Sequence, residues 1–243
     1  FLQHYPEARS LIITRNPIQN LESWMLSETK KSVFNQKAYS NKIESQSFWL
    51  NTWKTLILTI ITLFSRIQVF DNEQKKTRGI RLEDVKHDPN SLMPRVADWM
   101  GISDHPSLYE SNFCGLQYWG PSSQVTRKIT GFDTTSIDQP LGRFLDPKEI
   151  MIFETLFWPF SNLFGYSDLD EKEFRFQLNR IQPWLDEPLA FEKSIFAHIS
   201  NDGHSIKGFV QYKRLHSFLN KLWTMLDKEG TYQNMIRPLK LDC

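Results

Sequence analysis

A strand that hands directly over to a helix is written into residues 10–17. Ser10-Leu11-Ile12-Ile13-Thr14 is a short run rich in β-branched residues, and it predicts a buried strand. Asn16 is a good helix N-cap. Pro17 suits the first helical position, where the missing N–H would be unpaired anyway. Leu21, Trp24 and Met25 follow at helical spacing and predict an apolar face. Arg15 therefore sits where the carboxyl end of a strand meets the start of a helix. In open α/β sheets that edge is where ligands bind. A helix N-terminus there favours anions through its free N–H groups and its dipole.

The rest of the chain alternates in the same manner. Residues from about Gln46 to Phe70 carry a long helical pattern. Its most apolar stretch, Thr55 to Phe64, is too short to span a bilayer and reads as a buried core helix. Gly79 to Val85 reads as a second strand. Asp88-Pro89 repeats the cap-then-proline device, Leu92, Val96, Trp99 and Met100 form the stripe behind it, and Gly101 stops that helix. Residues 103–145 show no sustained period and read as a long loop of the kind that is functional or disordered. Asp146-Pro147 caps a further helix whose face is Ile150, Phe153, Leu156, Phe157, Phe160 and Phe164. Residues 170–243 read as helical, with breaks at Pro183, Pro188 and Asn201-Asp202-Gly203. Trp24, Trp99, Trp158 and Trp223 fall on apolar helix faces, which predicts core packing. Trp119, in the long loop, is the better residue for substrate contact.

Composition excludes several classes. Lys and Arg total 29 against 28 for Asp and Glu, so there is no broad basic face for nucleic acid. Cys114 and Cys243 are the only cysteines, which excludes a disulfide framework and points to a reducing, cytoplasmic setting. The opening residues lack the basic and apolar regions of a signal peptide and read as the interior of a domain. No metal-ligand spacing and no membrane segment appear. The basic stretch Lys207 to Arg214 reads as a solvated helix face.

Several blocks, in order, resemble the sulfotransferases that use 3′-phosphoadenosine-5′-phosphosulfate (PAPS). The first is Tyr5-Pro6-Glu7-Ala8, the strand, then Arg15-Asn16-Pro17 with Ser23 six residues after the proline. The second is Arg81-Leu82-Glu83-Asp84-Val85 followed by His87-Asp88-Pro89. The third runs from Gly120-Pro121-Ser122-Ser123 through Arg127-Lys128-Ile129-Thr130-Gly131. The helix containing Glu149 and the Phe164-Gly165-Tyr166 close are similar to the way many members end the domain. The resemblance implies an α/β fold, a P-loop-NTPase-like core with a parallel sheet flanked by helices. Residues 1–170 would form the nucleotide-binding domain, and residues 171–243 a helical C-terminal extension packed on it. It implies PAPS as donor, with its product 3′-phosphoadenosine 5′-phosphate (PAP) in the same site. Arg15, Ser23, Arg127, Lys128 and Gly131 are the implied contacts. The acceptor would be a small molecule, a carbohydrate or a carrier-bound group.

The chemistry accounts for those residue types. The 3′-phosphate is a dianion near neutral pH, and a guanidinium binds phosphate through a planar fork that lysine lacks. A serine hydroxyl adds one further donor. Glu83-Asp84 looks like an acid–base pair but reads as structural. The resemblance departs in three places. No Gly-x-x-x-x-Gly-Lys loop for the 5′-phosphosulfate occurs in the sequence. His4 is the sole histidine before Arg15 and reads as a surface residue rather than the base. Leu82 replaces the tyrosine that usually helps to hold adenine. The chain by itself is therefore expected to bind donor without transferring sulfate. A small-molecule kinase or a non-catalytic binding module are the other readings of the same pattern.

Overall fold

A computed structural model describes residues 8–36, 42–69, 75–113, 116–117, 131–135, 137, 139–199 and 204–239. The protein is mixed α/β and mostly helical, with a small parallel sheet. It divides into two units. One contains residues 1–15, 69–139 and 236–243, and the other contains residues 16–68 and 140–235.

The first unit is built on the strand expected at the start of the chain, but that strand is not buried. Ile13 is exposed and its other residues are half-buried, because among the described residues it pairs with only one other strand. β1 (Ser10–Thr14) pairs in parallel with β2 (Thr77–Arg81), from Ser10 opposite Thr77 to Thr14 opposite Arg81. Strand β2 ends earlier than its sequence suggests. Leu82 to Val85, expected as strand, opens the short helix α3 (Leu82–His87). Glu83 and Asp84 lie in its first turn, where carboxylates favour the helix dipole, and in α3 only Val85 is buried. The helix α4 (Pro89–Met100) follows. Asp88 accepts a hydrogen bond from the Ser91 N–H, and Gly101 closes the helix at φ 71°, as its cap residues predict. A single 3-10 turn, Pro106–Tyr109, precedes the hairpin of β3 (Asn112–Phe113) and β4 (Leu116–Gln117). Ile80, Val85, Leu92, Met93 and Val96 form the core, with Leu11, Met100 and Leu239 packed against it. Trp99 and Met100, expected in the stripe, are half-buried, while Met93 and Ala97 take the buried positions.

The second unit is helical. It comprises α1 (Pro17–Gln36), α2 (Lys42–Arg66), α5 (Pro147–Leu163), α6 (Glu171–Ile181), α7 (Ala190–Ile199) and α8 (His204–Glu229), with a 3-10 turn at Gln182–Trp184. The apolar stretch in α2 is core: Leu56, Ile57, Ile60 and Phe64 are buried. No helix among the described residues is long and apolar enough to cross a membrane. In α5 the phenylalanine stripe is buried as its spacing predicts, and Phe157 stacks on Phe64 with ring centroids 3.8 Å apart. Asp146 and Glu149 cap α5 reciprocally, as Asp170 and Glu173 cap α6.

The helical reading of residues 170–243 fails at its end. Gly230, at φ 72°, stops α8. Residues 237–239 then run beside β2 in the first unit, with Arg237 O accepting from Gly79 N and Leu239 N donating to Gly79 O, both at 2.8 Å. An edge strand offers unpaired N–H and C=O groups, and a short extended tail satisfies them.

Candidate anion-binding site

In the sheet unit, the parallel register brings two arginines to one edge. Thr14 lies opposite Arg81, so Arg15 and Arg81 stand where the two strands end. Thr14 Oγ1 donates to Ile80 O at 3.1 Å and ties the strand ends together. Arg81 Nε lies 3.5 Å from Asp84 Oδ1. Burial pushes the Asp84 carboxyl above its usual range while Arg81 opposes that shift. These two residues form an ion pair. Arg15 itself is half-buried.

Gly131 belongs to the same unit. Its φ of 71° is one that side-chain-bearing residues rarely adopt, and its carbonyl accepts from Ser111 N at 3.3 Å. Lys86 Nζ donates to Asp133 O at 2.5 Å, fastening α3 to the segment that follows Gly131. Arg127 and Lys128 lie outside the described residues, as do His4, Trp119 and both cysteines.

In the helical unit, the start of α1 is capped more completely than its sequence suggests. Asn16 Oδ1 accepts from Ile18 N at 3.0 Å and from Gln19 N at 3.1 Å, and Asn16 O accepts from Asn20 N at 2.9 Å. Pro17 has no N–H. The free N–H groups expected for an anion are therefore engaged by the cap. The dipole remains, but direct contacts must come from side chains.

Ser23 lies about two turns into α1. Arg143 Nη2 donates to Ser23 Oγ at 3.3 Å. Beside it, Glu22 is wholly buried. Glu22 Oε1 accepts from Phe144 N at 2.9 Å and from Leu145 N at 3.1 Å, and Oε2 lies 3.9 Å from Arg143 Nε. Arg143 Nε also donates to Pro140 O at 3.1 Å. Arg143 is the functional candidate that sequence reasoning missed. A lone arginine after Gly142, in a stretch without periodicity, carries no local signal, and Ser23 is 120 residues away.

Trp24, the next residue, overturns the expectation of core packing. It is 43% exposed. With Leu58, Leu63, Thr59 and Arg66 it lines a groove of about 210 Å³, and the Arg66 guanidinium lies 6.0 Å from its ring centroid. Trp158 is buried as expected, and Trp223 is half-buried with its indole N–H donating to Leu178 O. Among the described residues no three His, Cys, Asp or Glu side chains group as metal ligands would.

Arg15, Arg81 and Gly131 thus belong to the sheet unit, and Ser23 and Arg143 to the helical unit. Comparison with family models, with curated proteins and with solved structures finds no match in any of the three.

Proposed function

We propose that this chain holds the donor nucleotide of a sulfotransferase, an enzyme that moves a sulfuryl group from PAPS to an acceptor hydroxyl or amine. One observation carries the reading. Arg15-Asn16-Pro17 and Arg81-Leu82-Glu83-Asp84-Val85, two of the blocks that resemble the family, leave a parallel strand pair at the same edge. Two independent sequence matches thus meet at the end of a sheet where α/β proteins hold ligands. The finer fold that goes with this reading is a P-loop-NTPase-like core.

In this reading Arg15 supplies a forked cation to the 3′-phosphate and Ser23 a hydroxyl. Arg127, Lys128 and the Gly131 turn complete the nucleotide loop. Leu82 offers adenine an apolar contact without a hydroxyl or a stacking face. Sulfuryl transfer, like phosphoryl transfer, depends on positioning and on neutralising charge. The residues named here perform the positioning. The acceptor is a small molecule, a carbohydrate or a carrier-bound group.

Calorimetric titration of the full chain with PAP and with ADP tests the reading. PAP binds more tightly, and Arg15→Ala and Ser23→Ala each weaken it. Loss of one charge-assisted bond costs roughly 1.5–3 kcal/mol, a tenfold to hundredfold change in affinity. Equal affinity for both nucleotides, unchanged by either substitution, overturns the assignment. A preference for ADP points to a kinase-like enzyme instead.

A further inference from the structure

We infer that Arg143 is a phosphate-binding residue beside Ser23 in the helical unit, held in place by the buried carboxylate of Glu22; the inference rests on the donor reading above. It follows from the geometry of the helical unit alone. Arg143 Nη2 already touches Ser23 Oγ, the hydroxyl assigned to the 3′-phosphate. Its Nε is turned inward, to Pro140 O and toward Glu22 Oε2. Its Nη1 makes no hydrogen bond among the described residues. The guanidinium is thus clamped along one edge and keeps donors on the other, beside Ser23.

The clamp is built rather than incidental. Glu22 is 0% exposed, and Oε1 takes two backbone N–H groups of the segment that carries Arg143. A buried carboxylate costs folding energy unless it is paired and hydrogen-bonded. Here Oε1 is hydrogen-bonded by the backbone of Phe144 and Leu145, while Oε2 has no hydrogen-bond partner and meets the Arg143 guanidinium through charge alone, 3.9 Å from Nε. Those contacts restrict the rotamers of a long side chain, so less entropy is lost when an anion arrives. The Arg143 side chain is 23% exposed, so it is accessible to a ligand but shielded from bulk water. Glu22 lies on the buried side, where it orients the cation.

The chemical class of ligand is a phosphate monoester dianion, the 3′-phosphate of the donor. Titration of the full chain with PAP and with AMP, which lacks that phosphate, tests the assignment. The variants are Arg143→Gln, Arg143→Lys, Ser23→Ala and the Arg143→Gln/Ser23→Ala pair, with circular dichroism to verify folding. Arg143→Gln weakens PAP about tenfold and leaves AMP unaffected. Arg143→Lys, which keeps the charge and loses the fork, recovers part of that loss. The double variant loses less than the product of the two single losses, because the two side chains act on one group. PAP binding untouched by Arg143→Gln but lost in Arg15→Ala overturns the role of Arg143 and leaves the donor assignment standing. A wild-type chain that does not prefer PAP to AMP overturns both.

Discussion

His216 Nε2 lies 2.7 Å from Glu192 Oε2 in the interior of the helical unit, with the histidine 4% exposed and the glutamate 0%. The other ring nitrogen, Nδ1, faces Leu185 O. Both neighbours are acceptors, an arrangement that favours the form of the ring with a proton on each nitrogen. Burial alone would lower its pKa. The hydrogen bond and charge of Glu192, the Leu185 carbonyl and the charge of Asp186 outweigh burial and raise it above 6.5. Leu189 N also donates to Glu192 Oε2 at 3.0 Å, so α7 and α8 meet on one paired charge.

A pH dependence of stability follows. The folded-state pKa of His216 is raised, so its contribution is complete below pH 6.5 and is lost as the pH rises through the higher folded value. Chemical denaturation at a series of pH values from 6 upward shows wild-type stability falling on the alkaline side of 6.5, more steeply than in His216→Gln. Parallel curves for the two proteins contradict the assignment. Removing the ring in His216→Ala leaves Glu192 buried without its cation and costs about 3–5 kcal/mol.

The Glu22 clamp makes a separate prediction about folding. Glu22→Ala leaves the Phe144 and Leu145 N–H groups without their acceptor and destabilises by about 3 kcal/mol. Glu22→Gln keeps an oxygen for those groups and loses only the charge, at a cost of about 1 kcal/mol. Urea denaturation distinguishes the two. Equal losses show that charge alone matters, and no loss in either shows that the segment is held by something else.

Gly230 has a backbone conformation that disfavours any side chain. It ends α8 at φ 72°, and a Cβ placed there would lie 2.7 Å from Arg175 Nη2. That arginine is committed, with Nη1 donating to Leu226 O and Asp227 O at 3.1 Å each. Gly230→Ala therefore destabilises by roughly 1–2 kcal/mol through backbone strain, with a steric part on top. In an Arg175→Ala background the steric part disappears and the strain remains. Thermal unfolding of the two singles and the double measures the difference.

The Phe64–Phe157 stack marks the centre of the helical core. Phe157→Ala leaves a cavity and costs about 3–5 kcal/mol, whereas Phe157→Leu costs about 1 kcal/mol because most of the volume is retained. Equal denaturation midpoints for the two variants would show that the surrounding helices collapse onto the gap.

What was legible in the sequence was local. The strand Ser10–Thr14, the caps at Asn16, Asp88 and Asp146, the stop at Gly101 and the phenylalanine stripe of α5 all depend on residues within a few positions of one another. Hydrogen bonds of that reach and the side-chain period of a single element determine them before any distant contact forms. The candidate site was legible to the same extent: Arg15 at a strand end and Ser23 in the following helix could be placed from their spacing. Where local preferences competed, the reading failed. Leu82 to Val85 carried both a strand pattern and two helix-favouring carboxylates, and the helix won. Trp24 sat at core spacing on a face that the structure leaves exposed.

Only the tertiary structure decided which ends meet. The register that sets Thr14 opposite Arg81 joins residues 67 positions apart. Arg143 reaches Ser23 across 120 positions, and the chain's end returns to Gly79 to pair with β2. Such contacts depend on burial and on satisfying polar groups once the helices and the sheet have packed, and no local run of residues encodes them. The strand-to-helix junction at Arg15 was therefore written in the amino acids around it. The second arginine at its edge, and the one that reaches Ser23, came only with the fold.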